Sequence, residues 1–213
     1  MNETLVKDID GNSYKTVKIG EQIWMAENLK VTQYRNGDPI PNLTDENDWE
    51  NTEQGAYCNY DNNEDNVETY GRLYNWYAVD DKRGLAPNGW HIPTDEEIKK
   101  LEMYLGMSQE EAGEDGSRGT NEGSKLAGRA DLWNDGDLKN NPEFGTSGFT
   151  GLPAGYREFD GDYSCMGYIG YFWSSTEFGS NVAWYRLLRC GYSAVGRGYG
   201  DKDYGFSVRC IKD

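Results

Sequence analysis

The sequence predicts an α+β fold, a twisted antiparallel sheet with two helices and extensive loops. The 213 residues include 27 glycines and 16 tyrosines, which favours a loop-rich β or α+β domain over a helical bundle. Segments that alternate apolar and polar residues occur near both ends of the chain, and residues 94–106 carry the start and stop signals of a helix. No repeat or long linker interrupts the sequence, so we expect a single domain over residues 1–213.

The composition argues against several classes of partner. The formal net charge is −16, whereas nucleic acids and anionic membranes require a basic surface, so we expect neither as a partner. No window approaches eighteen consecutive apolar residues, which predicts no membrane insertion. Residues 1–8 lack the apolar region of a signal peptide, so export would require a signal already removed or another route, such as a virus particle.

Residues 1–41 predict an N-terminal β-meander. Residues 5–12, 14–20 and 22–25 are strand-like segments separated by glycine turns. The Asn36-Gly37 pair then marks a turn-rich connection to the middle of the chain.

Residues 42–69 are polar and acidic and predict a solvated loop. Asp61, Asn63 and Asp65 place oxygen atoms at alternating positions, as at the start of a calcium loop. The pattern then fails, because Asn66 stands where glycine is required and Arg72 where a bidentate glutamate is required. These three residues are therefore weak metal candidates, and local Asx-turns are the preferred interpretation.

Two helices are predicted in the central region. Leu73 and Trp76 recur at helical spacing within residues 70–79, which favours a short buried helix. Thr94 and Glu97 form a capping box that begins a second helix ending near residue 106. A brief strand at residues 90–92 precedes it, and we expect its His91, the only histidine, to be buried.

The sequence of residues 107–162 predicts mostly loops. Residues 107–123 are rich in Gly, Glu and Ser and predict a flexible loop, residues 123–128 a single helical turn, and residues 134–142 another loop. Residues 147–157 are strand-like. Glu158, Asp160 and Asp162 lie in the following turn, which offers a second weak calcium candidate.

Residues 171–213 predict the C-terminal strands, and their centre has an unusual composition. Tyr185, Leu187 and Arg189, and again the series 194, 196 and 198, fall at every second position, so each set lies on one face of an extended chain. Tyr and Gly beside small polar residues are typical of antibody-like recognition surfaces. The predicted binding residues are Tyr185, Leu187, Arg189, Cys190, Gly191, Tyr192, Ala194, Gly196, Gly198, Tyr199, Gly200, Asp201, Asp203 and Tyr204.

Several motifs resemble a known bacterial family. YFWSSTE, AWYR, YGFSVRCIKD, IGEQIWMAENL and SGFTGLPAGYR together resemble the Fibrobacter succinogenes major paralogous domain, which implies a C-type-lectin-like fold. GWHIPTDEE resembles a motif of the formylglycine-generating-enzyme branch of that fold. AYCNY and VRCIK hold Cys58 and Cys210, so the resemblance makes a bridge between these two cysteines plausible in an oxidising compartment, although the four cysteines allow three pairings.

The interval 183–204 also resembles the variable region of proteins diversified by retroelements. In such regions the adenines of Asn-type codons are randomised, and these codons never yield Met, Trp, Gln, Lys or Glu. None of the predicted binding residues is of those types, whereas the neighbouring scaffold positions include Trp184 and Lys202. The alternative is a Gly/Tyr-rich hairpin with no special role.

Three functions are consistent with these features. The first is a non-enzymatic receptor- or adhesin-type protein, extracellular, on a cell surface or on a phage particle, which binds a protein or glycan through tyrosine anchors, with Gly196, Gly198 and Gly200 leaving hollows for the ligand. The second is a carbohydrate-binding or structural surface domain, with calcium a possible cofactor. The third and least favoured is an oxidase of the formylglycine-generating type, with Cys190 and Cys210 as candidates by position only.

Overall fold

The computed structural model describes residues 5–213, and short β-strands dominate it. The strands are Leu5–Lys7 (β1), Ser13–Ile19 (β2), Gln22–Met25 (β3), Tyr57–Cys58 (β4), Leu73–Tyr74 (β5), Trp90–His91 (β6), Gly116–Arg118 (β7), Ala154–Arg157 (β8), Tyr163–Met166 (β9), Ile169–Gly179 (β10), Val182–Arg189 (β11), Tyr192–Asp201 (β12) and Ile211–Lys212 (β13). The α-helices are Glu46–Glu50 (α1), Val67–Tyr70 (α2), Trp76–Val79 (α3), Asp95–Tyr104 (α4), Gln109–Gly113 (α5), Glu122–Leu126 (α6) and Asp137–Asn140 (α7). The α+β class is confirmed.

The first sheet joins the two ends of the described chain. Its strand order is β1-β2-β3-β13-β6, and β1, β2 and β3 form the predicted meander. Ile211 of β13 pairs with Trp24 of β3 on one side and with His91 of β6 on the other. The C-terminal strand is therefore held inside a sheet rather than left at an edge.

The second sheet carries the long C-terminal strands. Its order is β7-β12-β11-β10-β8-β9, and all neighbours are antiparallel except β8 and β10. Strands β4 and β5 form a separate two-stranded ladder. None of the helices in residues 5–213 combines the length and the apolar character needed to cross a bilayer.

The second sheet separates two parts of the core. Phe172 and Trp173 are neighbours in β10, so their side chains point to opposite faces. Phe172 packs with Leu188 and Val195 in a cluster that includes residues of α4 and α6. Trp173 packs with Phe206 and with residues of the N-terminal meander in the other cluster. The sheet is thus covered on one face by helices and on the other, over part of its length, by the first sheet and its loops.

Helix α4 forms as the sequence predicts. The Thr94 hydroxyl accepts a hydrogen bond from the Glu97 N–H, and the Glu97 carboxylate accepts one from the Thr94 N–H. Both free donors of the first turn are therefore satisfied. The helix ends at Tyr104, and its C-cap Leu105 is followed by Gly106, whose φ of +124° favours glycine.

The predicted helix over residues 70–79 is wrong. Helix α2 ends at Gly71, where φ is +75°, and Leu73–Tyr74 continues as strand β5, paired with β4. Only residues 76–79 return to helix, begun by Asn75, whose side chain accepts a hydrogen bond from the Ala78 N–H. Gly71 leaves no room for a Cβ, which would lie 2.6 Å from the Asn28 Cβ, so the chain turns there instead of continuing the helix.

The predicted flexible loop over residues 107–123 is also wrong. Ser108 and Glu111 form a second capping box that begins α5, and β7 and the start of α6 follow. Helix α6 coincides with the helical turn predicted at residues 123–128. The predicted loop at 134–142 contains the single turn of α7, so this whole region packs on the second sheet.

Two further expectations need correction. The Cys58–Cys210 bridge is not formed, since both thiols are free and buried, one among residues such as Trp49 and Leu73 and the other in the cluster of Trp173. His91 is not buried: its side chain is 39% exposed.

Candidate recognition surface

The candidate site lies on the β11–β12 hairpin. Tyr185 is directly opposite Gly198, and Leu187 is directly opposite Gly196. Residues directly opposite in an antiparallel pair share a face, so the two sets of alternating residues picked out in the sequence form one continuous surface.

That face forms a hollow, which we call the concave surface. Its volume is about 560 Å³, and strand β7 with the residue before it builds one wall. The lining residues are Asp115, Gly116, Ser117, Tyr185, Leu187, Arg189, Tyr192, Ala194, Gly196, Arg197, Gly198 and Tyr199.

The concave surface is open at one end and buried at the other. At the closed end, Ala183 and Trp173 share the face and are 0% and 1% exposed because the first core cluster covers them. Tyr185 and Leu187 are half-buried, and Tyr192 at the hairpin end is 55% exposed. Exposure along this face therefore increases from the covered end towards the hairpin turn, and the residues at the turn end make no contact with the first core cluster.

The glycines do not leave empty hollows, contrary to the expectation from the sequence. A Cβ at Gly196 would lie 2.5 Å from the Leu187 Cγ, and one at Gly198 would lie 2.8 Å from the Tyr185 hydroxyl. The half-buried side chains of β11 lie flat across the glycines of β12. Glycine is required at residue 196 because Leu187 occupies the place of its side chain.

Buried ion pairs support the opposite face of the hairpin. Arg186 contacts Asp95 at 2.7 Å and Glu102 at 2.8 Å, while Arg197 contacts Asp95 at 2.8 Å. Glu102 also pairs with Arg118 at 2.6 Å. These pairs join β11, β12 and β7 to helix α4, so the hairpin is held without the side chains of Tyr185, Leu187, Arg189 and Tyr192.

The pKa of Asp95 reflects this arrangement. Burial acts to raise it, but hydrogen bonds from Arg197 and the charge of Arg186 outweigh burial and hold the pKa of Asp95 well below its ordinary value. The carboxylate is therefore charged wherever the protein is folded at neutral pH. Neither Arg186 nor Arg197 is among the predicted binding residues.

Tyr199 lies partly outside the predicted face. It is opposite Trp184, so its ring lies on the helix-covered side of the sheet, where it stacks on Phe178 with centroids 4.1 Å apart. Tyr199 as a whole is 48% exposed. Tyr199 is nevertheless among the residues that line the concave surface.

Other predicted residues lie away from the concave surface. Tyr204 is half-buried and stacks on Phe206 with centroids 5.5 Å apart, so it belongs to the first core cluster. Cys190 packs against the second cluster at the hairpin turn. Asp203 is half-buried, and burial raises the pKa of its carboxyl.

The remaining three residues border the hairpin. Gly191 lies in the β11–β12 turn with no atom near the position of a Cβ, and Asp201 is exposed at the end of β12. Gly200 lies under Tyr185, which would be 3.2 Å from a Cβ there.

The sequence interpretation missed one wall of the concave surface. Asp115, Gly116 and Ser117 lie in the stretch expected to be a loop, and β7 pairs Ser117 with Gly196 across the chain. The Ser108-x-x-Glu111 pattern was a visible signal of ordered structure in this stretch. Nothing local could indicate which strand it would join.

The metal candidates do not form a metal site. The Asn63 side chain accepts a hydrogen bond from the Asp65 N–H at 3.0 Å, and Asp61 has a φ of 54°, as in a local Asx-type turn. Within residues 5–213, no group of three or more His, Cys, Asp or Glu side chains is placed to hold a metal ion.

The buried cysteines are not poised to react. Cys210 is fully buried, and burial raises the pKa of its thiol well above the usual range. Burial likewise raises the pKa of Cys58 to about 11. Neither thiol is ionised at neutral pH, and the thiolate is the reactive form.

Comparison with known proteins identifies one family. The model of the Fibrobacter succinogenes major domain matches residues 17–212. The comparisons with curated proteins and with solved structures gave no significant match. The match spans almost the whole chain, including every strand from β3 to β13, and the chain belongs to the Fibrobacter succinogenes major domain family.

Proposed function

We propose that this protein is a non-enzymatic ligand-binding protein of the receptor or adhesin type, and that the concave surface is its binding site. The supporting observation is the separation of roles within the β11–β12 hairpin. One face is held by buried ion pairs to α4, while the other presents Tyr, Leu and Arg side chains to solvent. Exposed side chains on such a face, such as Arg189 and Tyr192, can change without removing the contacts that stabilise the fold.

The chemistry of the concave surface suits recognition of a protein or glycan. Tyr192 offers a half-exposed amphipathic ring, and the Arg189 guanidinium lies 5.8 Å from the centre of that ring. Such residues dominate binding energy at protein interfaces. Leu187 and Tyr185 form a flatter apolar floor, which lies between the Arg189–Tyr192 pair and the covered end of the sheet.

The same residues argue against catalysis at this site. The only carboxylate among the described lining residues is Asp115, and it is paired with Arg197 at 2.5 Å. No cysteine or histidine is among those lining residues. The strongly raised pKa of the buried Cys210 thiol further disfavours an oxidase that depends on paired reactive cysteines.

The proposal also includes a fold type, a mechanism of diversification and a location. The pairing of the N-terminal meander with the C-terminal strand supports a C-type-lectin-like arrangement. The composition of residues 183–204 supports diversification by a retroelement. A role in recognising surfaces places the protein outside a cell, on a cell surface or on a phage particle.

The test is a binding screen with matched variants. Labelled protein is applied to a glycan array, with and without calcium, and to an array of purified surface proteins. Arg189→Ala and Tyr192→Ala are expected to lose binding at least tenfold, equal to about 1.4 kcal/mol. Tyr104→Ala, which removes an even more exposed ring from α4, is the control and retains binding. Equal binding by all variants would contradict the proposed site.

A further inference from the structure

Strand β12 has an open edge beside the concave surface. Strand β7 pairs with β12 only at residues 195–197, whereas β12 continues to Asp201. Within residues 5–213, no strand pairs with residues 198–201 on the side away from β11. The Lys202 N–H bonds to the Asn181 carbonyl, so the alternation of the ladder directs the backbone groups of Gly198 and Gly200 to β11 and those of Tyr199 and Asp201 to the open side. The Asp201 carbonyl accepts a hydrogen bond from the Tyr204 N–H, which leaves the Tyr199 N–H and C=O and the Asp201 N–H available to another chain.

This edge lacks the usual protection against pairing. Native edges carry proline, outward lysines or bulges that discourage an added strand. Residues 198–201 contain no proline, lysine or bulge, and Asp201 is their only charged residue. The nearest lysine, Lys202, is buried and paired with Glu177, so it does not guard the edge.

The two faces next to the edge offer different contacts to alternate side chains. On one face lies the hollow floored by Tyr185 and Leu187. On the other, Phe178 and Tyr199 form a stacked pair, and the two residues are 50% and 48% exposed. An added strand places successive side chains on opposite faces, so it would reach both.

Charge indicates what kind of strand fits. Asp201 is exposed at one end of the open edge, and Asp115, which pairs with Arg197 but has a side chain 57% exposed, lies beyond the other end. With a net charge of −16 on each molecule, a second copy of this chain would be repelled. A segment with basic residues on either side of an apolar centre is complementary.

We propose that the ligand is a protein, and that an extended segment of it, with basic residues flanking an apolar centre, pairs as an added strand with residues 198–201. This rests on the proposed function, and it selects a protein rather than a glycan as the ligand. The backbone pairing supplies affinity independent of side chains, and the concave surface supplies specificity through the side chains directed into it. Changes in the side chains of the concave surface would then alter which peptide sequence is bound, while the backbone pairing at residues 198–201 is retained.

The experiment uses a defined peptide library with the full chain. The probes are acetylated and amidated seven-residue peptides with lysine at both ends and Val, Phe or Tyr alternating with Thr between them. Saturable binding below about 1 mM is expected for some members, with hydrogen-exchange protection of the amides of Tyr199 and Asp201, which face the open edge. N-methylation of the peptide amides that face the edge should weaken binding at least tenfold, and Asp201→Lys several-fold. Tyr104→Ala should have no effect.

Other outcomes separate the two proposals. If no peptide saturates, or the N-methylated peptides bind equally, the edge pairing is wrong. A glycan bound through Arg189 and Tyr192 without protection at residues 198–201 would overturn the edge pairing and leave the proposed function intact. Peptides that pair at the edge with unchanged affinity and unchanged sequence preference in Arg189→Ala and Tyr192→Ala would instead remove the concave surface as the site. Sedimentation of a dimer protected at the same amides would replace the proposed partner with a second copy.

Discussion

Replacing Gly196 with alanine tests whether the half-buried side chains of β11 fill the space above the glycines. The new Cβ would lie 2.5 Å from the Leu187 Cγ and 3.0 Å from both of its δ carbons, so Leu187 must leave its position. Overpacking of this kind costs about 1–3 kcal/mol. Because φ at residue 196 is not positive, the alanine itself is unstrained, and its reduced unfolded-state entropy returns roughly 0.4–1 kcal/mol.

A double-mutant cycle isolates this contact. In a Leu187→Ala background the obstruction is gone, so Gly196→Ala should be neutral or stabilise by about 0.5 kcal/mol. The expected coupling between the two positions is therefore about 1–3 kcal/mol, measured by urea unfolding of the four proteins. Gly191→Ala, where no atom lies within 4 Å of the new Cβ, is the control. An equal cost of Gly196→Ala in both backgrounds would refute the reasoning.

Two more predictions concern the support of the site. Arg186→Met should destabilise by about 1–3 kcal/mol in urea unfolding, because Asp95 and Glu102 each lose a buried charged hydrogen-bond donor while keeping Arg197 and Arg118; a loss below about 0.5 kcal/mol would contradict the role given to the ion pairs. The pKa of His91 is raised, since hydrogen bonds to Asp213 and Glu97 outweigh the lowering effect of burial. Protonated His91 therefore stabilises the folded state fully at pH values below its unfolded-state pKa of about 6.5. This stabilisation is lost as the pH rises through the higher folded-state pKa. Wild type should lose stability relative to His91→Gln between about pH 6 and 8, and parallel pH profiles would exclude this pairing.

The fold could be predicted where local signals are complete. The alternation in residues 14–20 and 182–189 identified strands, and the Thr94–Glu97 capping box identified α4. The helix expected over residues 70–79 failed because apolar spacing cannot distinguish a buried helix from a helix–strand–helix passage across Gly71.

Which residues of the hairpin share a face could be predicted from the sequence, but the wall that makes this face concave could not. Odd-numbered residues of β11 and even-numbered residues of β12 share the exposed face, as alternation implies. Tyr199 is an odd-numbered residue of β12, so the same alternation places its ring on the other face, and the sequence alone was enough to predict this. The wall contributed by β7 depends on a pairing between residues about eighty positions apart, which no local pattern encodes.

The most direct measurement of the central claim is the free energy of unfolding of a protein in which Arg189 and Tyr192 are both replaced by serine. If the concave surface is carried by a body stabilised elsewhere, the value should lie within about 1 kcal/mol of wild type, with an unchanged urea slope. A loss of about 3 kcal/mol or more would mean that these side chains hold the fold together and are not a display for ligands.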